Sequence, residues 1–225
     1  MNDLRASAGD DVTDLIDLAA LRKARVNTEP FPYLIVPGFL KAEGIEAIEK
    51  DYPALAMPGS VPLPSLSYGP AFGRLMAQIQ SSAMTEVIGD KLSIDLKGRP
   101  TMVTVRGQCR ATDGQIHTDS RTKLVTVLIY MNGSWEAPGG RLRLLRSPAS
   151  LDDMVAEVPP ERGTLLAFLN TENAWHGHAS FEGQRRAIQL NWVSDAAVVW
   201  REQFRHRVSA FFKRLKSSRR ERQAA

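Results

Sequence analysis

The pattern of residues along the chain changes after Pro100, and this change constrains the fold more than any other feature. From there to residue 193, short runs of β-branched and apolar residues alternate with turns that contain Gly or Pro. Closely spaced short strands of this kind are typical of a sandwich or a barrel. The runs that predict strands are residues 101–106, 115–119, 123–131, 141–145, 164–169, 175–181 and 185–193.

The flanking segments favour helices. Apolar residues at helical spacing, with prolines as terminators, predict helices over residues 11–25, 39–52 and 72–92, one or two helical turns over 150–157, and a last helix after Asp195. Helices segregated to one face of a mainly antiparallel β core make an α+β fold. We expect a single domain over residues 1–225, with 1–99 as a mainly helical support, 100–193 as the core, and 194–225 as a C-terminal helix and basic tail.

Composition excludes several classes of protein. The only cysteine, Cys109, rules out an internal disulfide framework and fits a reducing compartment. No apolar run is long enough to span a bilayer, and the acidic N-terminus has no apolar signal core, so we expect a cytoplasmic protein without a membrane partner.

Positive charge is concentrated at the C-terminus. The chain carries a net charge of +4, but residues 201–222 alone carry nine Lys/Arg and two Glu, or +7, which leaves −3 for the rest. We interpret this segment as a solvated helix face or a weak electrostatic surface, and we do not expect a nucleic-acid partner.

His117 and Asp119 are the first candidates for chemistry. They follow a turn signal at Asp113-Gly114, and residues two apart on a strand point to the same face. An imidazole beside a carboxylate supplies two ligands of a 2-His-1-carboxylate iron site, which leaves positions open for small ligands. The third ligand must come from elsewhere, and either His176 or His178 is suitably placed on a later predicted strand.

The residues around these candidates resemble a known superfamily. The segments QIHTDS, KLVTVLIYMN, WEAPGGRLRLL and PERGTLLAFLNTENAWHGHASFEGQRRAIQLNWV are similar to the iron(II)/2-oxoglutarate-dependent dioxygenases, in their prolyl-4-hydroxylase-like branch. The resemblance implies a double-stranded β-helix (jelly-roll) core, with N-terminal helices packed on its larger sheet and a C-terminal helix.

The resemblance also assigns the metal ligands. It implies that His117, Asp119 and His176 hold Fe(II) and form the catalytic centre, since a bulky residue such as Trp175 often precedes the distal ligand in that family. His178 remains the alternative, because it lies two residues on and would share the face of His176.

An arginine is implied as the partner of the far carboxylate of 2-oxoglutarate. Arg185 and Arg186 both lie at spacings that occur in the family, but only one of two adjacent strand residues points inward. The small residue Ala187 favours Arg185, because it would share that face and leave room in the pocket. On the preceding strand, Thr126 is our candidate for a further contact to 2-oxoglutarate, and Leu128 and Tyr130 share its face.

The implied activity is hydroxylation of a substrate C–H bond with release of succinate and CO2. Fe(II) and 2-oxoglutarate are the implied cofactors, and ascorbate is considered as an additional one. The substrate would be a small molecule or a peptide. The alternatives are a non-catalytic β-helix protein that binds a ligand, and a nucleic-acid-directed demethylase. We expect Arg106 and Arg110 on a solvated rim, with contact to an acidic substrate as the alternative. Neither the substrate nor the oligomeric state follows from the sequence.

Overall fold

The computed structural model describes residues 14–197 and residue 199. Within them, the helices are α1 (Leu18–Lys23), α2 (Ala42–Lys50), α3 (Pro70–Ile79) and α4 (Ser82–Leu92), with a 3-10 turn at Leu63–Ser65. The strands are β1 (Tyr33–Val36), β2 (Val61–Pro62), β3 (Thr101–Cys109), β4 (Lys123–Tyr130), β5 (Leu142–Leu145), β6 (Met154–Val158), β7 (Leu165–Leu169), β8 (His176–Gly177) and β9 (Gly183–Val193). No helix among these residues is long and apolar enough to cross a bilayer.

The strands form two antiparallel sheets. The larger sheet has six strands in the order β1-β7-β4-β9-β3-β2, and the smaller has three in the order β6-β5-β8. Strands that are far apart in sequence are neighbours in both sheets, which is typical of a jelly roll. The fold is therefore a mixed helix and sheet structure with an antiparallel core.

Each face of the larger sheet has its own hydrophobic cluster. Because side chains alternate along a strand, Val127 and Ile188 belong to a cluster that also holds buried residues of α2, α3 and α4. Tyr130 and Ala187 face the other way and share a cluster with Leu144 of the smaller sheet. The space between the two sheets is thus a second core, and it opens into a cavity at one end.

Two predicted elements were wrong. Residues 115–119 do not form a regular strand; only an isolated antiparallel bridge joins His117 to His176. Residues 150–157 do not form helical turns, because β6 pairs with β5 in this region and buries Val158. The strand predicted over 175–181 is also shorter, since β8 comprises only His176–Gly177.

The helix bounds differ in part from the predicted ones. The first helix is limited to Leu18–Lys23 among the described residues, and the second begins at Ala42 rather than at residue 39. The region 72–92 contains two helices, α3 and α4, that meet at Gln80–Ser81. Residues 196, 197 and 199 are helical, as predicted after Asp195, and the rest of the predicted C-terminal helix with the basic segment 201–222 lies outside the described residues.

Candidate active site

Two histidines from distant parts of the chain lie side by side. The amide N–H of His117 donates to the carbonyl of His176 at 3.0 Å, and the amide of His176 donates back at 2.9 Å. Their ring centres are 4.4 Å apart. Two residues that exchange both backbone hydrogen bonds are locked in register, so the two imidazoles face the same space.

Asp119 completes a cluster with these histidines. One ligand atom from each of the three residues lies within 4.8 Å of the others. Two imidazole nitrogens and one carboxylate oxygen in such proximity are the donor set of a facial triad for Fe(II), so the residues present fit this metal. His178 is not part of the cluster: its Nδ1 lies 2.9 Å from the carbonyl of Ala179, and its Nε2 lies 4.0 Å from the sulfur of Cys109.

Backbone carbonyls orient both imidazoles. Nδ1 of His117 donates to the carbonyl of Gln115 at 2.7 Å, and Nδ1 of His176 donates to that of Ala174 at 2.9 Å. A carbonyl has no proton to give, so Nδ1 carries the hydrogen in each neutral ring and Nε2 keeps its lone pair. This is the tautomer that a metal ligand needs, and the carbonyls act as the outer contacts that fix its orientation.

The environment keeps His176 neutral. Its pKa is lowered to about 4, mainly by burial and also by the nearby His117, while the carboxylate of Asp119 only partly opposes these effects. A neutral imidazole is therefore available throughout the physiological pH range.

Both oxygens of the Asp119 carboxylate have partners. Lys123 forms an ion pair with Oδ1 at 2.8 Å, and the Thr126 hydroxyl donates to Oδ2 at 2.5 Å. The amide of Asn191 in turn donates to Oγ1 of Thr126 at 2.7 Å. Although burial opposes ionisation, the charge of Lys123 and the hydrogen bonds from Lys123 and Thr126 hold the pKa of Asp119 below its ordinary value, so it is a carboxylate at neutral pH.

The cluster opens into a cavity of about 510 Å³ between the two sheets. Its floor is made of cross-strand rows on β3, β9 and β4, and Arg106 and Ala187 lie in one of them. A larger hollow of about 1020 Å³ lies between α4 and residues 93–101, but no histidine lines it.

Arg185 and Arg186 lie on opposite faces of β9. Arg185 is buried and lines the cavity, and its Nε donates to the carbonyl of Gly140 at 2.7 Å. Arg186 does not line the cavity; its guanidinium lies 5.4 Å from the ring centre of Tyr52. Of these two arginines, it is therefore Arg185 that shares the cavity with the histidines.

The turn at Gly140 fixes the position of Arg185. Gly140 has a φ of +78°, which favours glycine, and a Cβ there would approach the ring of Trp135 to 2.8 Å. The indole N–H of Trp135 also donates to the carbonyl of Gly139 at 2.9 Å. The glycine pair thus presents its carbonyl to the guanidinium in a conformation that other residues would strain.

Tyr130 is placed to work with Arg185. Its hydroxyl is fully buried and makes no hydrogen bond to any described residue, and the Arg185 guanidinium lies 5.4 Å from its ring centre. Burial raises the pKa of Tyr130, so the hydroxyl keeps its proton and can donate it. A buried guanidinium and a buried hydroxyl without a partner suit a carboxylate ligand. Thr126, our candidate for this contact, is already engaged with Asp119.

Three residues that shape this site were less evident from sequence patterns. Lys123 lies four residues after Asp119, and Asn191 lies an even number of residues after Arg185, so its side chain shares the same face. Arg106 was expected on a solvated rim but is half-buried and lines the cavity. Arg110 does meet that expectation, since its side chain is 58% exposed.

Comparison with known proteins agrees with this geometry. Residues 107–194 match the family model of the 2OG-Fe(II) oxygenase superfamily. The match spans less than half of the chain, but it contains every residue of the His-Asp-His cluster and both arginines. The resemblance inferred from the sequence is confirmed, and this superfamily implies Fe(II) and 2-oxoglutarate as cofactors. A comparison with curated protein sequences gave no match.

Solved structures with similar folds include a prolyl-4-hydroxylase from Pseudomonas putida. It is 18% identical, with a TM-score of 0.52 over 73% of this chain and 93% of that chain. A viral collagen prolyl hydroxylase from Paramecium bursaria Chlorella virus-1 is 16% identical, with a TM-score of 0.46 over 72% and 96%. HygX from Streptomyces hygroscopicus, solved with nickel and 2-oxoglutarate, is 16% identical, with a TM-score of 0.48 over 72% and 82%. At 18% identity, the similarity to the Pseudomonas protein shows that the two chains share a fold and nothing further.

We predict that His176→Ala weakens metal binding far more than His178→Ala does. Loss of an outer-shell partner of a metal site typically costs about 10- to 100-fold in affinity, and loss of a ligand should exceed that range. Titration of the metal-free protein with Mn(II), followed by calorimetry, measures the difference. Circular dichroism would show that both variants fold. The opposite order of affinities would make His178 the ligand.

The pKa of His176 predicts how the metal-free protein responds to acid. Its folded-state value of about 4 lies below the ordinary value of 6.5, so the unfolded chain binds more protons between these pH values. The free energy of unfolding should therefore fall as the pH is lowered through this window. Urea denaturation in EDTA should show a weaker pH dependence for His176→Asn than for the wild type. Equal slopes would mean that the imidazole is not held neutral by the fold.

Proposed function

Since residues 107–194 match the 2OG-Fe(II) oxygenase superfamily and contain a clustered His-Asp-His set, we propose that this chain is an Fe(II)- and 2-oxoglutarate-dependent oxygenase. It would hydroxylate a C–H bond of a small molecule or peptide, with 2-oxoglutarate converted into succinate and CO2. The single observation that carries this proposal is the cluster of His117, Asp119 and His176 at the opening of a cavity lined by a buried arginine.

The proposed architecture follows from the same family. Residues 100–193 would form the double-stranded β-helix core, and residues 1–99 would provide a mainly helical support for its larger sheet. This arrangement agrees with the hydrophobic cluster that α2, α3 and α4 share with the larger sheet. The support leaves the opposite face of that sheet free to line the cavity.

His117, Asp119 and His176 would hold Fe(II). Bound iron together with 2-oxoglutarate supplies the activation of dioxygen that oxidises the substrate. The two imidazoles and the carboxylate would supply three ligands to the ion, and a site with this donor set would leave positions for 2-oxoglutarate and dioxygen. Thr126 and Asn191 position the carboxylate through hydrogen bonds, so we assign Thr126 to the metal centre instead of to 2-oxoglutarate.

Arg185 and Tyr130 would bind the far carboxylate of 2-oxoglutarate. Nε of Arg185 donates to the Gly140 carbonyl, so the two terminal nitrogens of the guanidinium remain available for a bidentate contact. The Tyr130 hydroxyl adds a buried donor beside the Arg185 guanidinium. Both groups are kept from water, which strengthens their attraction for a carboxylate.

The function is tested by succinate formation. We expect the wild-type protein, given Fe(II), 2-oxoglutarate and dioxygen, to convert 2-oxoglutarate slowly into succinate even without a substrate. His117→Ala should abolish this turnover, since it removes one of three metal ligands. Mass spectrometry of succinate measures the rate. A wild-type protein that binds Fe(II) but forms no succinate would instead indicate the non-catalytic binding protein, and an unchanged rate in His117→Ala would refute the metal assignment.

The two arginines provide a matched test of 2-oxoglutarate binding. Arg185→Gln should raise the KM for 2-oxoglutarate by about 10- to 100-fold, as expected for the loss of a charged hydrogen bond of 1.5–3 kcal/mol. Arg186→Gln removes the same charge from the next residue, on the face that does not line the cavity, and should leave the KM close to that of the wild type. Equal effects of the two substitutions would indicate a general effect of charge and refute a specific anchor.

A further inference from the structure

Arg106 places a second guanidinium in the cavity. It lies directly across the sheet from Ala187 of β9, in the row that continues to Tyr130 on β4. The alanine leaves space above the sheet, so the long side chain of Arg106 is accommodated beside Arg185 in the same cavity. The hydroxyl of Tyr52 fixes the backbone at this point, donating to the carbonyl of Arg106 at 2.7 Å.

The guanidinium of Arg106 makes no hydrogen bond or ion pair with any residue between 14 and 197. The neighbouring Arg110 differs, since it forms an ion pair with Asp113 at 3.0 Å. Burial and the positive charge of Arg185 lower the pKa of Arg106, yet a guanidinium remains charged in proteins. Asp113 and Asp119 attract this cation from a distance, but a half-buried guanidinium without a direct ion pair or hydrogen bond is still costly, unless a ligand supplies them.

The charges of the cavity leave one cation without a counterpart. Among the residues that the structure describes, its lining contains three basic side chains, Arg106, Lys123 and Arg185, and two acidic ones, Asp113 and Asp119. Fe(II) and the 2-oxoglutarate dianion carry equal and opposite charges, so their binding would not alter this difference. The remaining positive charge favours an anionic group that enters the cavity.

The cosubstrate does not need Arg106. In the proposed function, one end of 2-oxoglutarate lies at the metal cluster and the other meets Arg185 and Tyr130. Both of its carboxylates thus have partners before Arg106 is considered. Arg106 is therefore available to the substrate, whose reacting C–H bond must lie in the same cavity.

We propose that Arg106 is a specificity-determining residue that binds an anionic group of the substrate, a carboxylate or a phosphate. The inference rests on the proposed function. A planar guanidinium recognises either anion through two parallel hydrogen bonds, and a partly buried site strengthens the contact. The substrate class is accordingly an acidic small molecule or a peptide segment with an acidic group near the oxidised carbon.

The test uses the anaerobic Fe(II)–2-oxoglutarate complex of the full chain. Acetate and methyl phosphate serve as the two anion probes, and calorimetry at constant ionic strength measures their binding. We expect Arg106→Gln to weaken binding of the preferred probe by about 10-fold or more, as expected for the loss of a charged hydrogen bond. Arg110→Gln is the matched control, since it removes an exposed guanidinium already paired with Asp113, and it should bind the probe as the wild type does.

A second measurement separates this inference from the proposed function. The visible charge-transfer band of the Fe(II)–2-oxoglutarate complex reports cosubstrate binding, and Arg106→Gln should form it at the same 2-oxoglutarate concentration as the wild type. If the wild type forms the band but binds neither probe more tightly than Arg106→Gln, the inference is wrong and the proposed function stands. If Arg106→Gln needs more 2-oxoglutarate to form the band, Arg106 serves the cosubstrate and the inference is wrong. If the wild type forms no band, both fail.

Aerobic turnover extends the test to whole compounds. Succinate formation is measured with N-acetyl amino acids and their carboxamides, and with sugar phosphates and the corresponding sugars. The wild type should be stimulated by the charged member of a pair in preference to the neutral one, and Arg106→Gln should lose that preference. Equal stimulation of the wild type by both members would overturn the inference.

Discussion

The two backbone hydrogen bonds between His117 and His176 are the constraint on which the site depends. They join a loop to β8, and β8 is itself held by its pairing with Leu144 of β5. The position of the first histidine is therefore set by the smaller sheet, although Asp119 is set by hydrogen bonds from the larger one. The cluster lies where the two sheets meet, so its geometry depends on the packing of the whole core.

Several polar side chains of this core are connected to one another by hydrogen bonds. Asn191, Thr126 and Asp119 form a chain of hydrogen bonds across β9 and β4, and each member satisfies the next. Such a set rigidifies a core when every member has a partner. On the same sheet, Tyr130 and Arg106 lack partners among the described residues, and they are the groups that we assign to ligands.

Local patterns predicted more of the cavity than of the connecting segments. The alternation of β9 was readable, which placed Arg185 and Arg186 on opposite faces, and the spacing of His117 and Asp119 indicated a metal pair. The helical turns expected over 150–157 failed because pairing with β5 overrides local preference there. The position of Arg106 depends on its register against Ala187, a contact between residues far apart in sequence that periodicity does not encode.

The ion pair between Lys123 and Asp119 has a consequence for the metal-free protein. The ammonium, 2.8 Å from the carboxylate, already balances the charge of Asp119 in the metal-free chain. An unpaired buried charge would be strongly destabilising. Small domains that need a metal ion to neutralise such a charge do not fold without that ion. Here the polypeptide carries its own counterion, so the fold does not depend on the metal to neutralise Asp119.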